Sequence, residues 1–185
     1  MFAARRRPER ETWQALPAKL EVSQRCFVAL GANLGDPAAT VTAAIAALRR
    51  LPQAGFVAAS SLYRTAPVGL KHQPDFVNAV VELLAHSSAP DLLQSLFSIE
   101  ADFGRQRSVK NAPRTLDLDL LLYGDAVSTD PHLTLPHPRL HERAFVLAPL
   151  AEIAPHLSVP GRGSVGELLL RCVGQKIEKM LPHAA

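Results

Sequence analysis

Apolar residues fall into short blocks separated by prolines, glycines and polar runs, and the spacing within each block predicts its element. Residues 26–31, Cys-Phe-Val-Ala-Leu-Gly, are short, apolar and closed by glycine, which predicts a buried strand. Asp36 and Pro37 supply a cap and a first helical position for residues 39–51, where Val41, Ile45 and Leu48 recur at helical spacing before Pro52. Residues 56–63 predict a second strand, and residues 76–84 a third with Val77, Ala79, Val81 and Leu83 on one face. Residues 90–103 predict a helix turning Leu92, Leu93, Leu96 and Ile99 inward. Residues 116–123 predict a fourth strand, and residues 142–153 and 165–180 two further helices. The order β-α-β-β-α-β is the ferredoxin-like pattern of the α+β class: an antiparallel sheet with helices on one face, here with additional C-terminal helices. That fold hosts many unrelated functions, so chemistry must be argued from side chains.

Composition narrows the field only a little. A chain of 185 residues, 48% hydrophobic and 20% charged, is expected to form a single globular domain over residues 25–185, with residues 1–24 a flexible N-terminal extension. Part of the net charge of +3 is local, because Arg5, Arg6, Arg7 and Arg10 crowd the first ten residues. A nucleic-acid binder would carry a broader basic surface, whereas a small anionic substrate needs only a few placed arginines. The two cysteines, Cys26 and Cys172, have no metal or redox spacing and read as small hydrophobes in a reducing compartment. No apolar stretch reaches membrane-spanning length, and the arginine-rich start has no apolar core of a secretory signal. A cytoplasmic monomer, with no nucleic acid or membrane as partner, is the expectation.

The densest chemical signal lies at residues 113–120, Pro-Arg-Thr-Leu-Asp-Leu-Asp-Leu. Strand alternation puts Leu116, Leu118, Leu120 and Leu122 on the core face and Asp117 and Asp119 together on the other. Two adjacent carboxylates repel, and a divalent cation removes that cost; few hard oxygen ligands suit magnesium that keeps waters and phosphate oxygens. Alone, such a pair reads better as the wet face of a half-exposed strand, since such alternation is common. Asp is depleted in strands, however, and Arg105, Arg107, Lys110 and Arg114 precede this one. Cations beside paired carboxylates are what a polyphosphate needs. There is no GxxxxGK[ST] or GxGxxG loop, and the seven histidines show no metal-ligand spacing. The residues themselves leave open a pyrophosphoryl, phosphoryl or nucleotidyl transferase, or a ferredoxin-like RNA-binding module, although the aromatic pattern of the last is missing.

The run from Gly104 to Asp119, Gly-Arg-Gln-Arg-Ser-Val-Lys-Asn-Ala-Pro-Arg-Thr-Leu-Asp-Leu-Asp, resembles a signature of the 6-hydroxymethyl-7,8-dihydropterin pyrophosphokinase family. Residues 30–36, residues 61–69 with 73–78, and residues 135–145 are similar to that family in the same order. The resemblance implies transfer of the terminal pyrophosphate of ATP to the pterin hydroxymethyl group, in folate biosynthesis. It implies Asp117 and Asp119 as ligands of two magnesium ions, and Arg105 and Arg114 as phosphate clamps. Arg107, Leu120, His137 and Arg143 match nucleotide-contacting positions; Thr65, Pro67, Val68, Phe76, Asn78 and Phe145 match the pterin pocket, with residues 104–113 a closing lid. The chain departs from the family in having a shorter loop without Trp, with Ser108 and Asn111 in it, His132 where some members carry Arg, and Pro138 where an aromatic can stand.

Overall fold

The computed structural model describes residues 23–67, 73–105 and 114–181. Strand β1 (Gln24–Ala32) begins slightly before the expected Cys26, and Cys26 and Val28 within it are fully buried. Helix α1 (Pro37–Leu48) is capped as predicted: the Asp36 carboxylate accepts the Ala39 N–H at 3.0 Å and Pro37 opens the helix. It stops at Leu48, short of the expected residue 51.

The predicted strand 56–63 is two strands, β2 (Ala54–Ala59) and β3 (Tyr63–Thr65). The chain breaks at Ser60, whose Oγ accepts the Val80 N–H at 3.0 Å while its own N–H donates to the Val80 carbonyl. Both strands pair antiparallel with β4 (Phe76–Ala85), β2 along its second half and β3 along its first. Helix α2 (Ala89–Asp102) starts at a Ser88 cap, and β5 (Asp117–Tyr123) follows. β4 pairs with β1 and β1 with β5, so the ferredoxin-like sheet is assembled as expected.

The face carrying Val28, Leu30, Val81, Leu83 and Leu118 packs on Val41 and Leu48 of α1 and on Leu92 and Leu96 of α2. Truncating one of these leucines to Ala would cost about 2–5 kcal/mol. After β5 come a hairpin, β6 (Ser128–Asp130) with β7 (Leu133–Leu135), a 3-10 turn over Leu140–Glu142, and α3 (Ala144–Ile153). A second hairpin, β8 (Ser158–Val159) with β9 (Gly163–Ser164), leads into α4 (Val165–Arg171). Helices α3 and α4 cover the other face of the sheet, joining Val146, Leu147, Leu150 and Leu168 to Phe27, Val80, Leu121 and Leu122.

Two sequence expectations are corrected here. The helix expected over residues 165–180 ends at Arg171; Gly174 takes φ 82°, a left-handed conformation that stops a helix. The chain then turns back as β10 (Ile177–Lys179), which pairs with β3 and extends the sheet. Leu122 also does not share the face of Leu116, Leu118 and Leu120. The register passes from Val28 opposite Leu120 to Phe27 opposite Leu122, skipping Leu121. This bulge reverses the phase, so Leu121 and Leu122 both join the second core. Cys26 and Cys172 are free thiols, and burial pushes Cys26 up to about 12. No helix among the described residues is long and apolar enough to cross a membrane.

Candidate active site

Three neighbouring strands set the floor of the site. Gly31 of β1 lies opposite Asn78 of β4 on one side and opposite Asp117 of β5 on the other. The glycine keeps the middle of this row low: a Cβ there would stand 3.3 Å from Asn78 Oδ1. Above the row is a cavity of about 410 Å³, a size suited to a small molecule. Asp117, Asp119, Arg114 and Arg143 line one part of it, and Thr65, Phe76, Asn78 and Phe145 another.

Asp117 is held between two arginines. Arg105 Nη1 is 2.6 Å from its Oδ1, and Arg114 Nη1 pairs with its Oδ2. Arg105 also pairs with Glu100, which is 2% exposed at the end of α2 and accepts the Leu118 N–H at 2.7 Å. One buried carboxylate thus ties the helix end, Arg105 and the start of the aspartate strand together. The sequence reading missed Glu100, although its spacing from Leu92 and Leu96 places it on the inward face of α2, where a charge must find a partner.

Asn33, the first residue after β1, is a second buried polar residue that joins segments around the site. It is 1% exposed, and its Oδ1 accepts the Arg114 N–H at 2.8 Å. Its Nδ2 donates to Gln73 Oε1 at 3.1 Å and to the Pro74 carbonyl at 3.4 Å, so one amide joins the segment before β4 to the segment before β5.

Asp119 sits between His137 Nε2 at 3.8 Å and Arg143 Nη1 at 3.7 Å, and its side chain remains 36% exposed to the cavity. Burial, then the charge of Asp117, lifts its carboxyl above the ordinary carboxylate range, with Arg143, Arg114 and Arg105 opposing. His137 is fixed by the bulge, because its N–H donates to the carbonyl of Leu121 at 2.9 Å. Burial, then the Arg143 charge, lowers it to about 4, so the ring is neutral at pH 7. Its Nδ1 accepts the Arg139 N–H at 3.2 Å, which leaves the proton on Nε2, facing Asp119.

Among the described residues no cluster of three or more His, Cys, Asp or Glu forms a metal cage. Two carboxylates on one strand face, one raised by the other's charge, fit instead a magnesium ion that takes most of its ligands from water and phosphate.

Toward the other end, Asn78 Nδ2 donates to Thr65 Oγ1 at 2.9 Å, which fixes the amide with its Oδ1 beside Gly31. Phe145 carries the Arg143 guanidinium 5.5 Å from its ring centroid. Thr65, Phe145 and Gln175 also border an adjoining cavity of about 350 Å³, where Pro67 lies. Leu120 is 4% exposed in the first core, so its side chain does not line the cavity. Arg107 and Val68, with nearly all of the expected lid, lie outside the described residues. Gln73, Arg139, Glu142 and Gln175 line the cavity without having been singled out from sequence.

The profile of 7,8-dihydro-6-hydroxymethylpterin-pyrophosphokinase (HPPK) matches residues 27–155. The chain belongs to the HPPK family. It is 45% identical over 157 residues to the 2-amino-4-hydroxy-6-hydroxymethyldihydropteridine pyrophosphokinase of Pseudomonas aeruginosa, covering 85% of this chain and 97% of that one. The Haemophilus influenzae enzyme of the same name is 40% identical over 156 residues, covering 84% and 98%. Among solved structures, Plasmodium falciparum HPPK-DHPS with pteroate superposes at a TM-score of 0.66 with 14% identity. It covers 86% of this chain and 45% of that longer one, a likeness of fold. The aspartate strand, its arginines and the Asn78 row all fall inside the HPPK match.

Proposed function

We propose that this cavity transfers the terminal pyrophosphoryl group of ATP to the hydroxymethyl oxygen of 6-hydroxymethyl-7,8-dihydropterin, a step of folate biosynthesis. The new bond joins the pterin oxygen to the β-phosphorus; the bond from that phosphorus to the α-phosphate bridging oxygen breaks; AMP leaves and the hydroxyl proton passes to water. Membership of the HPPK family supports the reaction class. The observation that carries the reading is the row Asn78–Gly31–Asp117, which sets the Asn78 amide and the aspartate strand on one floor.

Each residue has a task that follows from its chemistry. The Asn78 amide offers both donor and acceptor to the hydrogen-bonding edge of the pterin, held in orientation by Thr65. Phe76 and Phe145 supply aromatic faces for a flat bicycle, and Pro67 borders the adjoining cavity at that end. Arg105 and Arg114 present planar forks to phosphate oxygens. Neutral His137 donates its Nε2–H, and Arg143 adds charge toward the nucleotide. Asp117 and Asp119 would hold magnesium, two ions on this reading, whose charge would neutralise the pyrophosphoryl group. A reducing, cytoplasmic compartment suits the two free thiols.

Incubation with ATP, the pterin and magnesium, with products separated by chromatography, tests this. AMP formed in step with pterin consumption, lost on chelation and lost in Asp119→Ala, is the expected outcome. Release of ADP or inorganic pyrophosphate instead would assign a different phosphoryl or nucleotidyl transfer.

A further inference from the structure

Helix α3 begins at Ala144, directly after Arg143 and just before Phe145. Arg143 occupies the capping position with φ −117° and ψ 105°, yet its side chain makes no cap hydrogen bond; it reaches toward Asp119 instead. The first N–H groups of a helix need partners from outside it. Here the partner comes from the far end of the chain. Gln175 Oε1 accepts the Ala144 N–H at 2.9 Å, and Gln175 Nε2 donates to the Glu142 carbonyl at 2.8 Å.

These two bonds bracket Arg143, one on the residue before it and one on the residue after. Together they fix the backbone that aims Arg143 and, one residue on, Phe145. Gln175 is itself anchored: β10 follows it, with Ile177 opposite Thr65 in the pterin-side strand β3. The Met180 N–H donates to the Leu62 carbonyl at 2.8 Å, and Lys179 Nζ lies 3.1 Å from Glu152 of α3. Gln175 borders both cavities, where they meet at Thr65 and Phe145. The segment lies past residue 155, where the HPPK match ends.

We infer that Gln175 is a positioning residue for the pterin substrate, a clamp by which the C-terminal strand sets Arg143 and Phe145. The inference rests on the reaction proposed above. Its test is a fluorescence titration of the full chain with 6-hydroxymethyl-7,8-dihydropterin, in magnesium and a non-hydrolysable ATP analogue, together with KM for each substrate. Gln175→Leu, which removes both bonds, is expected to weaken pterin binding and raise pterin KM about tenfold, the equivalent of about one hydrogen bond. Gln175→Glu keeps the acceptor for the Ala144 N–H and should recover part of that loss, to about threefold from wild type. Lys179→Ala loosens the same strand without touching the clamp and should leave pterin binding within about twofold.

Pterin affinity in Gln175→Leu equal to wild type would overturn the inference. So would an equal loss in Lys179→Ala, which would make the strand a general anchor. Should Gln175→Leu fail to fold, Gln175→Glu decides: a partial loss supports the clamp and wild-type affinity overturns it. A wild-type chain that binds no pterin would overturn the assigned substrate, and the clamp with it.

Discussion

Asn33→Ala removes the amide that joins the two segments flanking the site. The side chain is 1% exposed, so water cannot replace what is lost. The substitution strands the Arg114 N–H, now satisfied by Oδ1 at 2.8 Å, and takes a donor at 3.1 Å from Gln73 and one at 3.4 Å from the Pro74 carbonyl. The Asn33 N–H bond to the Arg114 carbonyl remains. A buried donor left unpaired costs about 1–3 kcal/mol and the lost donor bonds about 1 more, giving about 2–4 kcal/mol. For a chain of this length that is a fall in Tm of about 5–12 °C. Calorimetry and urea unfolding at unchanged slope would read it. Because Arg114 is anchored through the same amide, kcat/KM should fall about tenfold or more. Asn33→Asp keeps the acceptor for Arg114 and should lie between. A midpoint within about 2 °C of wild type, with full activity, would refute the reasoning.

Glu100→Gln keeps an acceptor for the Leu118 N–H but removes the charge facing Arg105; stability should drop by about 1–3 kcal/mol in urea unfolding. Asn78→Ala should raise the KM for the pterin about tenfold or more in steady-state assays while that for ATP stays within about twofold. Glu152 is raised by burial, but hydrogen bonds from Tyr63, Ser61 and Lys179 outweigh this and hold it below the usual carboxylate range. Its contribution is therefore fully present above the ordinary carboxylate value of about 4.3 and is lost as pH falls through its lower folded value. The stability gap between wild type and Glu152→Gln, measured by urea unfolding, should be constant from pH 6 to 8 and close below about pH 4.

The elements that obey one period along their whole length could be read from sequence. Strand β1, the α1 cap at Asp36 and Pro37 and α2 appear close to where the pattern puts them, and the aspartate strand keeps its alternation as far as Leu120. What escaped depends on partners distant in sequence. The Ser60 break exists because its Oγ meets the Val80 N–H, and the Leu121 bulge exists in register with β1. The C-terminal strand could not be seen because residues 165–180 keep apolar spacing past Arg171, while Gly174 ends the helix and β3 offers an open edge. In the site, charged and aromatic residues near the signature could be named from local chemistry and resemblance. Asn33 and Gln175 could not, and Glu100 showed only its inward helix position and not its partners, since each acts by holding another residue from elsewhere in the chain.

The central claim concerns which phosphorus the pterin oxygen attacks, and phosphorus NMR of the product answers it. With ATP carrying oxygen-18 on the non-bridging oxygens of its β and γ phosphates, magnesium and 6-hydroxymethyl-7,8-dihydropterin, the account predicts both shifted phosphorus signals in a pterin diphosphate and an unlabelled AMP signal. A pterin monophosphate with labelled ADP would contradict it.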